Sequence, residues 1–514
     1  MKTIQVKVEA KEPLNISTIK LSGSALFIIP NNHQRDNVFP LGPAYLAAVL
    51  RNAGMDCQVY CMDAFDYSDD DLAQFMAGRD DDLICLGFMG PRFKRGIQAT
   101  CQVINKMRAE HSKFIIGGFG PSASPDYMIK ETGADFVVIG EGEETLLELV
   151  DTVLNRNRKL TDVASIAFSD GDECIITSRR KTIKYLTELP FPAWDLFPMD
   201  IYTDCLKFSQ MSLNDKVFPI VSTRGCTDKC SFCFRLDSGI RVRKAESVVS
   251  EMKFLIEKYG VTYFYFVDEL SIVSKYQVSR LLNLILEELP PIKFRMDCRV
   301  TMFDKDIANL LKKAGCVFLN IGFETSSQNV LDQMNKRATV EQNIAAAELA
   351  KSTGIGIGIN MIWGMPGDSI ETMWENADFI KRFNQYDQIR TIRPITPYPG
   401  SPLFHKAVEL GLLSGPGDFY NKFQNSDLYM VNYTNETLED IYKNLYEVNK
   451  MLINDHFEHT SKDFAMADAL IDQFRRLYFE GEAAFRGVRD DSMNKHLRHD
   501  SSITMGVWQE PEPE

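Results

Sequence analysis

Short β-rich apolar runs alternate with amphipathic helical patterns twice along the chain, and this alternation limits the fold more than any other feature. A repeated strand–helix–strand order requires parallel strands joined by helical crossovers. The first series of runs is Ala25 to Ile29, Cys57 to Met62, Leu83 to Phe88, Lys113 to Ile116 and Asp135 to Ile139. Helical segments such as Tyr45 to Asn52, Ile97 to Glu110 and Glu143 to Leu154 lie between them. Five strands so interleaved predict a doubly wound α/β domain, whose ligands sit beyond the carboxyl ends of the strands. The second series has a longer repeat: Val217 to Ser222, Thr262 to Val267, Lys293 to Cys298, Val317 to Gly322, Gly356 to Ile362 and Gln388 to Ile395. It predicts six βα units, a partial barrel with its chemistry at the carboxyl-end mouth.

A chain of 514 residues divides into two or three domains. The expected division is an N-terminal extension over 1–20, the doubly wound domain over 21–160, a connector over 161–210, the barrel over 211–400 and a helical C-terminal region over 401–514. The connector holds a hairpin around Asp170-Gly171 and the strap Leu189-Pro-Phe-Pro-Ala-Trp-Asp-Leu-Phe-Pro, whose prolines favour an extended path. Net charge is -14 and the basic residues form no long run, which argues against a nucleic-acid surface. The first residues lack a signal-peptide core and no apolar stretch reaches the length of a membrane span. Eleven cysteines, an odd number without an export signal, point to a reducing cytoplasm.

Three of those cysteines share one loop, Cys226-Thr-Asp-Lys-Cys230-Ser-Phe-Cys233, directly after the first strand of the second series. Three thiolates can hold three irons of a cubane cluster and leave the fourth iron open to a small molecule. The competing reading, a structural zinc knot, needs a fourth ligand, and no His or Cys follows Cys233 until Cys298. The loop resembles the CxxxCxΦC signature of the radical S-adenosylmethionine (SAM) superfamily, with Phe232 as the aromatic. The resemblance implies a [4Fe-4S] cluster on Cys226, Cys230 and Cys233, SAM bound at the open iron, and reductive cleavage of SAM to a 5′-deoxyadenosyl radical.

The strand ends of the first series are rich in glycine, where backbone can approach a bulky ligand without interference from a Cβ. Pro40-Leu-Gly-Pro-Ala-Tyr, Ile115-Ile-Gly-Gly and Val137-Val-Ile-Gly-Glu-Gly-Glu resemble the N-terminal, Rossmann-like cobalamin-binding domain of one branch of that superfamily. By this resemblance Leu41, Gly42, Met89, Gly90, Arg92, Gly117, Gly118, Gly140, Glu141 and Gly142 are expected to meet cobalamin. The Asp-x-His-x-x-Gly loop of many corrinoid domains is missing. Neither His33 nor His111 stands in that context, so no protein histidine is expected on cobalt, and the loop from Met89 to Arg95 is expected at its lower face.

In the second series, polar residues fall at successive strand ends: Asp268 and Glu269, Arg299, Glu324, the turn from Gly364 through Pro366, and Arg393. A carboxylate can accept both ribose hydroxyls and a guanidinium can pair with the SAM carboxylate. Ile321-Gly-Phe-Glu324 is similar to the superfamily's fourth-strand Gly-x-Glu segment, and Met361-Ile-Trp-Gly-Met-Pro-Gly to its glycine-proline turn beside adenine. The second-strand Asp268-Glu269 stands where other members carry Gly-Gly-Glu. Together with Phe232 these residues are the expected cofactor contacts of a TIM-type partial barrel. The acidic helical C-terminal region is expected to cap the mouth, with Tyr433, His456 and His459 near substrate or, more simply, on the surface.

The activity implied is hydrogen abstraction from an unactivated carbon of a small molecule, with C-methylation through methylcobalamin as the leading outcome. The same parts support ring formation without methyl transfer, as in the porphyrin-ring cyclases of this branch. Methylthiolation of tRNA ranks below both, because it needs three further N-terminal cysteines and a basic RNA-binding domain. A non-catalytic corrinoid or iron-sulfur carrier or sensor is the remaining alternative. An electron donor such as flavodoxin or ferredoxin is the expected partner, and oligomeric state is not readable from the chain.

Overall fold

The computed structural model describes residues 2–8, 19–31, 38–155, 158–204, 208, 210–212 and 214–481. Its first sheet contains β1 (Lys2–Val6), β2 (Ser24–Ile29), β3 (Asp56–Cys61), β4 (Leu83–Gly87), β5 (Lys113–Gly117), β6 (Phe136–Val138), β7 (Ile166–Asp170) and β8 (Glu173–Thr177), in the order β1-β8-β7-β6-β5-β4-β2-β3. Strands β2 to β6 are parallel. Side chains alternate between two apolar layers, which is why these strands read as continuous hydrophobic runs. Ala25 and Phe27 pack under the helices Leu41–Ala53 and Glu143–Asn155, whereas Leu26 and Ile28 pack on the opposite face.

The sheet is three strands wider than the five expected. Hairpin β7–β8, read as part of a connector, adds antiparallel to β6, and β1, read as part of an extension, pairs parallel with β8. Periodicity identifies such strands but does not say which sheet edge they join. His111 lies at the amino end of β5, half-exposed between Asp80 and Asp82, opposite to the glycine loops. His33 lies outside the described residues.

The second sheet is fully parallel, in sequential order from β9 (Val217–Ile220) through β12 (Tyr263–Phe266), β13 (Lys293–Cys298), β14 (Cys316–Glu324) and β15 (Gly356–Trp363) to β16 (Arg393–Pro394). Helices cover its convex face, and one core joins Met296, Leu319, Ile321, Ile359 and Met361 to Val278, Leu311, Ala347 and Ile380. The sixth strand was expected over Gln388 to Ile395 but is two residues long. Pro394 has no N–H to extend the ladder, and Arg390 turns inward to pair with Asp387. A separate hairpin, β10 (Thr223–Cys226) with β11 (Gly239–Val242), carries the first cysteine.

The C-terminal region does more than cap the mouth. Helices Leu438–His459 and Phe464–Phe479 extend the outer layer of the barrel, while Phe404, Phe419 and Tyr420 enter the core of the first sheet. His456 is buried rather than on the surface, and His459 stacks on Tyr386, 4.2 Å between centroids. Tyr433 donates its hydroxyl hydrogen to the Leu403 carbonyl.

Phe39, Trp194, Phe197, Tyr202 and Phe218 form an aromatic knot between the two sheets. Phe39 lies 5.1, 4.9, 5.2 and 4.7 Å, in that order, from the other four rings. Beside it Tyr202 donates to Asp63 at 2.8 Å, and burial pushes the Asp63 carboxyl up from 3.8 to about 7. Since the folded state holds this proton more tightly than the unfolded chain, the contribution is complete below 3.8 and fades as pH rises through 7. Lowering pH from 8 to 6 should therefore add about 1 kcal/mol of stability through this group. Denaturant midpoints at the two pH values should show that gain in wild type and lose it in Asp63→Asn; an unchanged slope in the variant refutes it.

Candidate active site

The thiol loop hangs from two short strands. β10 and β11 pair antiparallel with Arg224 opposite Arg241 and Cys226 opposite Gly239. Gly225 has φ +86°, and a Cβ there would stand 2.3 Å from the Gly239 carbonyl oxygen, so only glycine lets the hairpin close one residue before the first thiol. Beyond Cys226 the backbone is pinned from outside. Ser231 N donates to Met334 O at 2.9 Å, Asn335 Nδ2 to Lys229 O at 2.9 Å and Leu403 N to Ser231 O at 2.8 Å.

All three thiols are reduced and at least partly accessible, and Cys233 is exposed. Burial, with the neighbouring Cys230, Glu269 and Cys226, pushes the Cys233 thiol up to about 11; burial raises the Cys230 thiol too, against the opposing charges of Lys336 and Arg299. Crowded thiolates of this kind repel one another, and iron relieves the repulsion, so the donor set fits a cluster. Among the described residues no three His, Cys, Asp or Glu side chains converge as a site for one metal ion.

Around this loop lie the expected mouth residues, in differing roles. Glu269 is exposed and makes no hydrogen bond or close ion pair among the described residues, which leaves its carboxylate available. Arg299 pairs with Asp228 at 2.5 Å and donates to the Lys336 carbonyl, bracing the loop between the first two cysteines. Glu324 is buried with φ +66° and accepts from Lys336 Nζ at 2.5 Å, and that ammonium lies 6.0 Å from the Phe232 ring. Arg393, half-exposed, faces Asp427 at 3.5 Å.

Asp268 is a correction. It was expected to face a cofactor, but it is buried, and its oxygens accept from Ser222 N at 2.8 Å, Thr223 N at 2.9 Å and the Ser222 hydroxyl. Burial pushes its carboxyl up to about 6. It fastens β9 to β10 and so positions the thiol loop.

The turn Gly364 to Gly367 is held from both sides. Asp368 accepts from the N–H groups of Gly364 and Met365, both at 2.9 Å, and Tyr429 donates to Gly364 O at 2.6 Å. A Cβ on Gly364 would sit 2.3 Å from the Tyr429 ring; neighbouring Pro366 remains partly exposed.

On the first sheet, the loops after β4, β5 and β6 and the start of helix Leu41–Ala53 lie at the carboxyl ends of the strands. A Cβ on Gly42 would meet open space, Met89 is exposed, and Leu41 packs below. Gly117 and Gly118 bring the chain against Val138 and Phe88. Other glycines are explained by the protein itself: Gly90 faces the Tyr420 hydroxyl, Gly142 faces Leu46, and Arg179 fills the space at Gly140. Arg92 lies in the 3-10 segment Gly90–Arg95, backed by Phe93 and Tyr420. The buried Tyr420 hydroxyl has no hydrogen-bond partner in the described structure, and this orphaned donor beside Gly90 fits a ligand rich in carbonyl groups.

Glu141, expected beside cobalamin, also has partners within the protein. Its carboxylate accepts from Arg224 at 3.0 Å, Arg241 at 2.6 Å and the Ile183 N–H at 2.9 Å, so it joins this sheet to the cysteine hairpin. Burial opposes its ionisation, but the two arginines overcome that and hold its carboxyl below the usual range.

Several residues escaped the sequence reading. Arg224, Arg241, Lys336 and Tyr429 carry no motif. On the concave face of the second sheet Asp297, Asn320 and Asn360 form a polar row, with Asn360 Nδ2 donating to Asn320 Oδ1 at 2.7 Å. Below it Arg295 lies between the rings of Phe208 and Phe318, 4.6 and 4.7 Å from their centroids, and closes the floor. Strict alternation in Lys293-Phe-Arg-Met-Asp-Cys298 is the signal that places Arg295 and Asp297 on this face.

Comparison with known proteins matches residues 220–380 to the Radical SAM superfamily and residues 33–150 to the B12 binding domain. The chain is a B12-binding radical SAM enzyme. Its cofactors are accordingly a [4Fe-4S] cluster, SAM and cobalamin. This radical SAM enzyme is 29% identical over 432 residues to an uncharacterized methyltransferase of Pyrococcus horikoshii, covering 82% of this chain and 90% of that one. It is 26% identical over 396 residues to the anaerobic magnesium-protoporphyrin IX monomethyl ester cyclase of Rubrivivax gelatinosus, covering 74% and 69%. In fold it matches the radical SAM methyltransferase TsrM of Kitasatospora setae, solved with cobalamin and a [4Fe-4S] cluster, at a TM-score of 0.69 and 16% identity, over 89% of this chain and all of that one.

Proposed function

We propose that this enzyme methylates a carbon of a small-molecule substrate, with Cys226, Cys230 and Cys233 holding the cluster. The observation that carries the reading is the direct join, through Glu141, between a glycine-lined loop of the first sheet and the hairpin that ends at Cys226. It supports a reading in which a B12-binding edge lies against the three-thiol loop. When bound, cluster and SAM supply hydrogen abstraction from carbon, and cobalamin supplies the methyl group.

The chain's own residues bind and orient. Glu269, Glu324 and the Gly364–Pro366 turn would hold SAM. Lys336 and Arg299 set positive charge beside the thiolates, and Asp297, Asn320 and Asn360 offer hydrogen bonds to a polar substrate in the lumen. Exposed Cys233 gives a donor such as flavodoxin or ferredoxin a short path for electrons. Ten free cysteines among the described residues suit a reducing cytoplasm. No helix among those residues is long and apolar enough to cross a membrane.

The likeness to the cyclase supports ring formation as the second reading. Reconstituted enzyme should be incubated anaerobically with reductant, a small-molecule cell extract and SAM carrying a deuterated methyl group. A product bearing the labelled methyl is expected. Release of 5′-deoxyadenosine with a product that has lost two hydrogens and gained no label selects the cyclase, and release of neither refutes both.

A further inference from the structure

We propose that Glu141 couples the two cofactor sites, so that assembly of the cluster tightens cobalamin binding and cobalamin in turn firms the thiol loop. The proposal rests on the assignment of the 139–143 loop to cobalamin and of the three thiols to the cluster.

The hairpin that presents Cys226 is poorly built to stand alone. Its strands are four residues each, and its central cross-strand pair sets Arg224 opposite Arg241. Two-stranded hairpins are marginal in water, and like charges directly opposite destabilise them. The compensating charge comes from the first sheet. Glu141 accepts from both guanidiniums, Glu143 takes the second nitrogen of Arg224 at 2.6 Å, and the Arg224 guanidinium lies 5.2 Å from the ring centroid of Tyr45 in helix Leu41–Ala53.

The far end of the thiol loop is tied to the same place. Arg179, whose guanidinium fills the space at Gly140, donates to the Leu236 carbonyl at 2.6 Å and to Asp237 at 2.7 Å. Arg241 also donates to the Ile183 carbonyl at 3.1 Å, while Ile183 N–H donates to Glu141 Oε2, the same oxygen that Arg241 holds. Residues 139–143 and 224–237 are thus ordered together. A ligand that restrains one set lowers the entropy cost of restraining the other, and such linkage acts equally in both directions.

The test is a titration of hydroxocobalamin into cluster-free and [4Fe-4S]-reconstituted protein, followed by corrin absorbance. Wild type should bind at least about fivefold more tightly with the cluster in place. In Glu141→Gln that ratio should fall to about one although iron and sulfide are still taken up. Arg241→Gln, which keeps the Arg224 pair, should lie between. A simple structural salt bridge would weaken both titrations alike and leave the ratio unchanged. A wild-type ratio near one, or a wild-type ratio retained in Glu141→Gln, overturns the coupling. Wild-type protein that takes up no cobalamin overturns the cofactor assignment, and the coupling with it. Should Glu141→Gln fail to fold, the wild-type ratio and that of Arg241→Gln decide.

Discussion

Cys230→Ala protein, purified and reconstituted without oxygen, is expected to be colourless, to hold iron and sulfide near background and to release no 5′-deoxyadenosine. Cys230 is the middle thiol of the loop, half-buried and within the field of the Lys336 ammonium. The bonds from Ser231 N–H to the Met334 carbonyl and from the Asn335 side chain to the Lys229 carbonyl hold the loop in place without it, so the loss should be of a ligand and not of a fold. The matched control is Cys316→Ala. That thiol is buried under the barrel helices, and burial pushes it up to about 12, so the variant should keep its brown colour. A brown, SAM-cleaving Cys230→Ala protein would refute the three-thiol assignment.

Asp268→Ala is expected to cost several kcal/mol, because it strands three buried donors at about 1–3 kcal/mol each. They are the backbone N–H groups of Ser222 and Thr223 and the Ser222 hydroxyl. Loosening the junction of β9 and β10 should also lower cluster yield, since the hairpin starts there. Asp268→Asn keeps one acceptor and should fall between. Denaturant midpoints and iron content measure both effects. An Asp268→Ala protein with wild-type stability and weakened SAM binding would instead restore the ligand role expected from the sequence.

Asp268 also shows where sequence reasoning stops. A carboxylate at a strand end looks the same whether it faces a ligand or its own backbone, and only the register of β9 against β12 decides. Glu141 presents the same ambiguity: it sits between two glycines in a loop of the right kind, yet both its arginine partners come from a hairpin more than eighty residues away. Elements defined by local pattern were legible. β13 spans Lys293–Cys298 as the alternation predicts, and the first-series strands agree to within a residue or two. What escaped depends on docking: hairpin β7–β8 joins an existing sheet edge, Tyr429 closes the Gly364 turn from 65 residues away, and Lys336 reaches Glu324 across a left-handed turn. The polar row Asp297, Asn320 and Asn360 was visible in the alternation once the concave side is known.

The knot of rings around Phe39 bears on how large molecules come and go. With Trp194, Phe197, Tyr202 and Phe218 locked against it, the two halves of the enzyme cannot swing apart as jaws around a shared axis. Loading and product escape then fall to the peripheral loops.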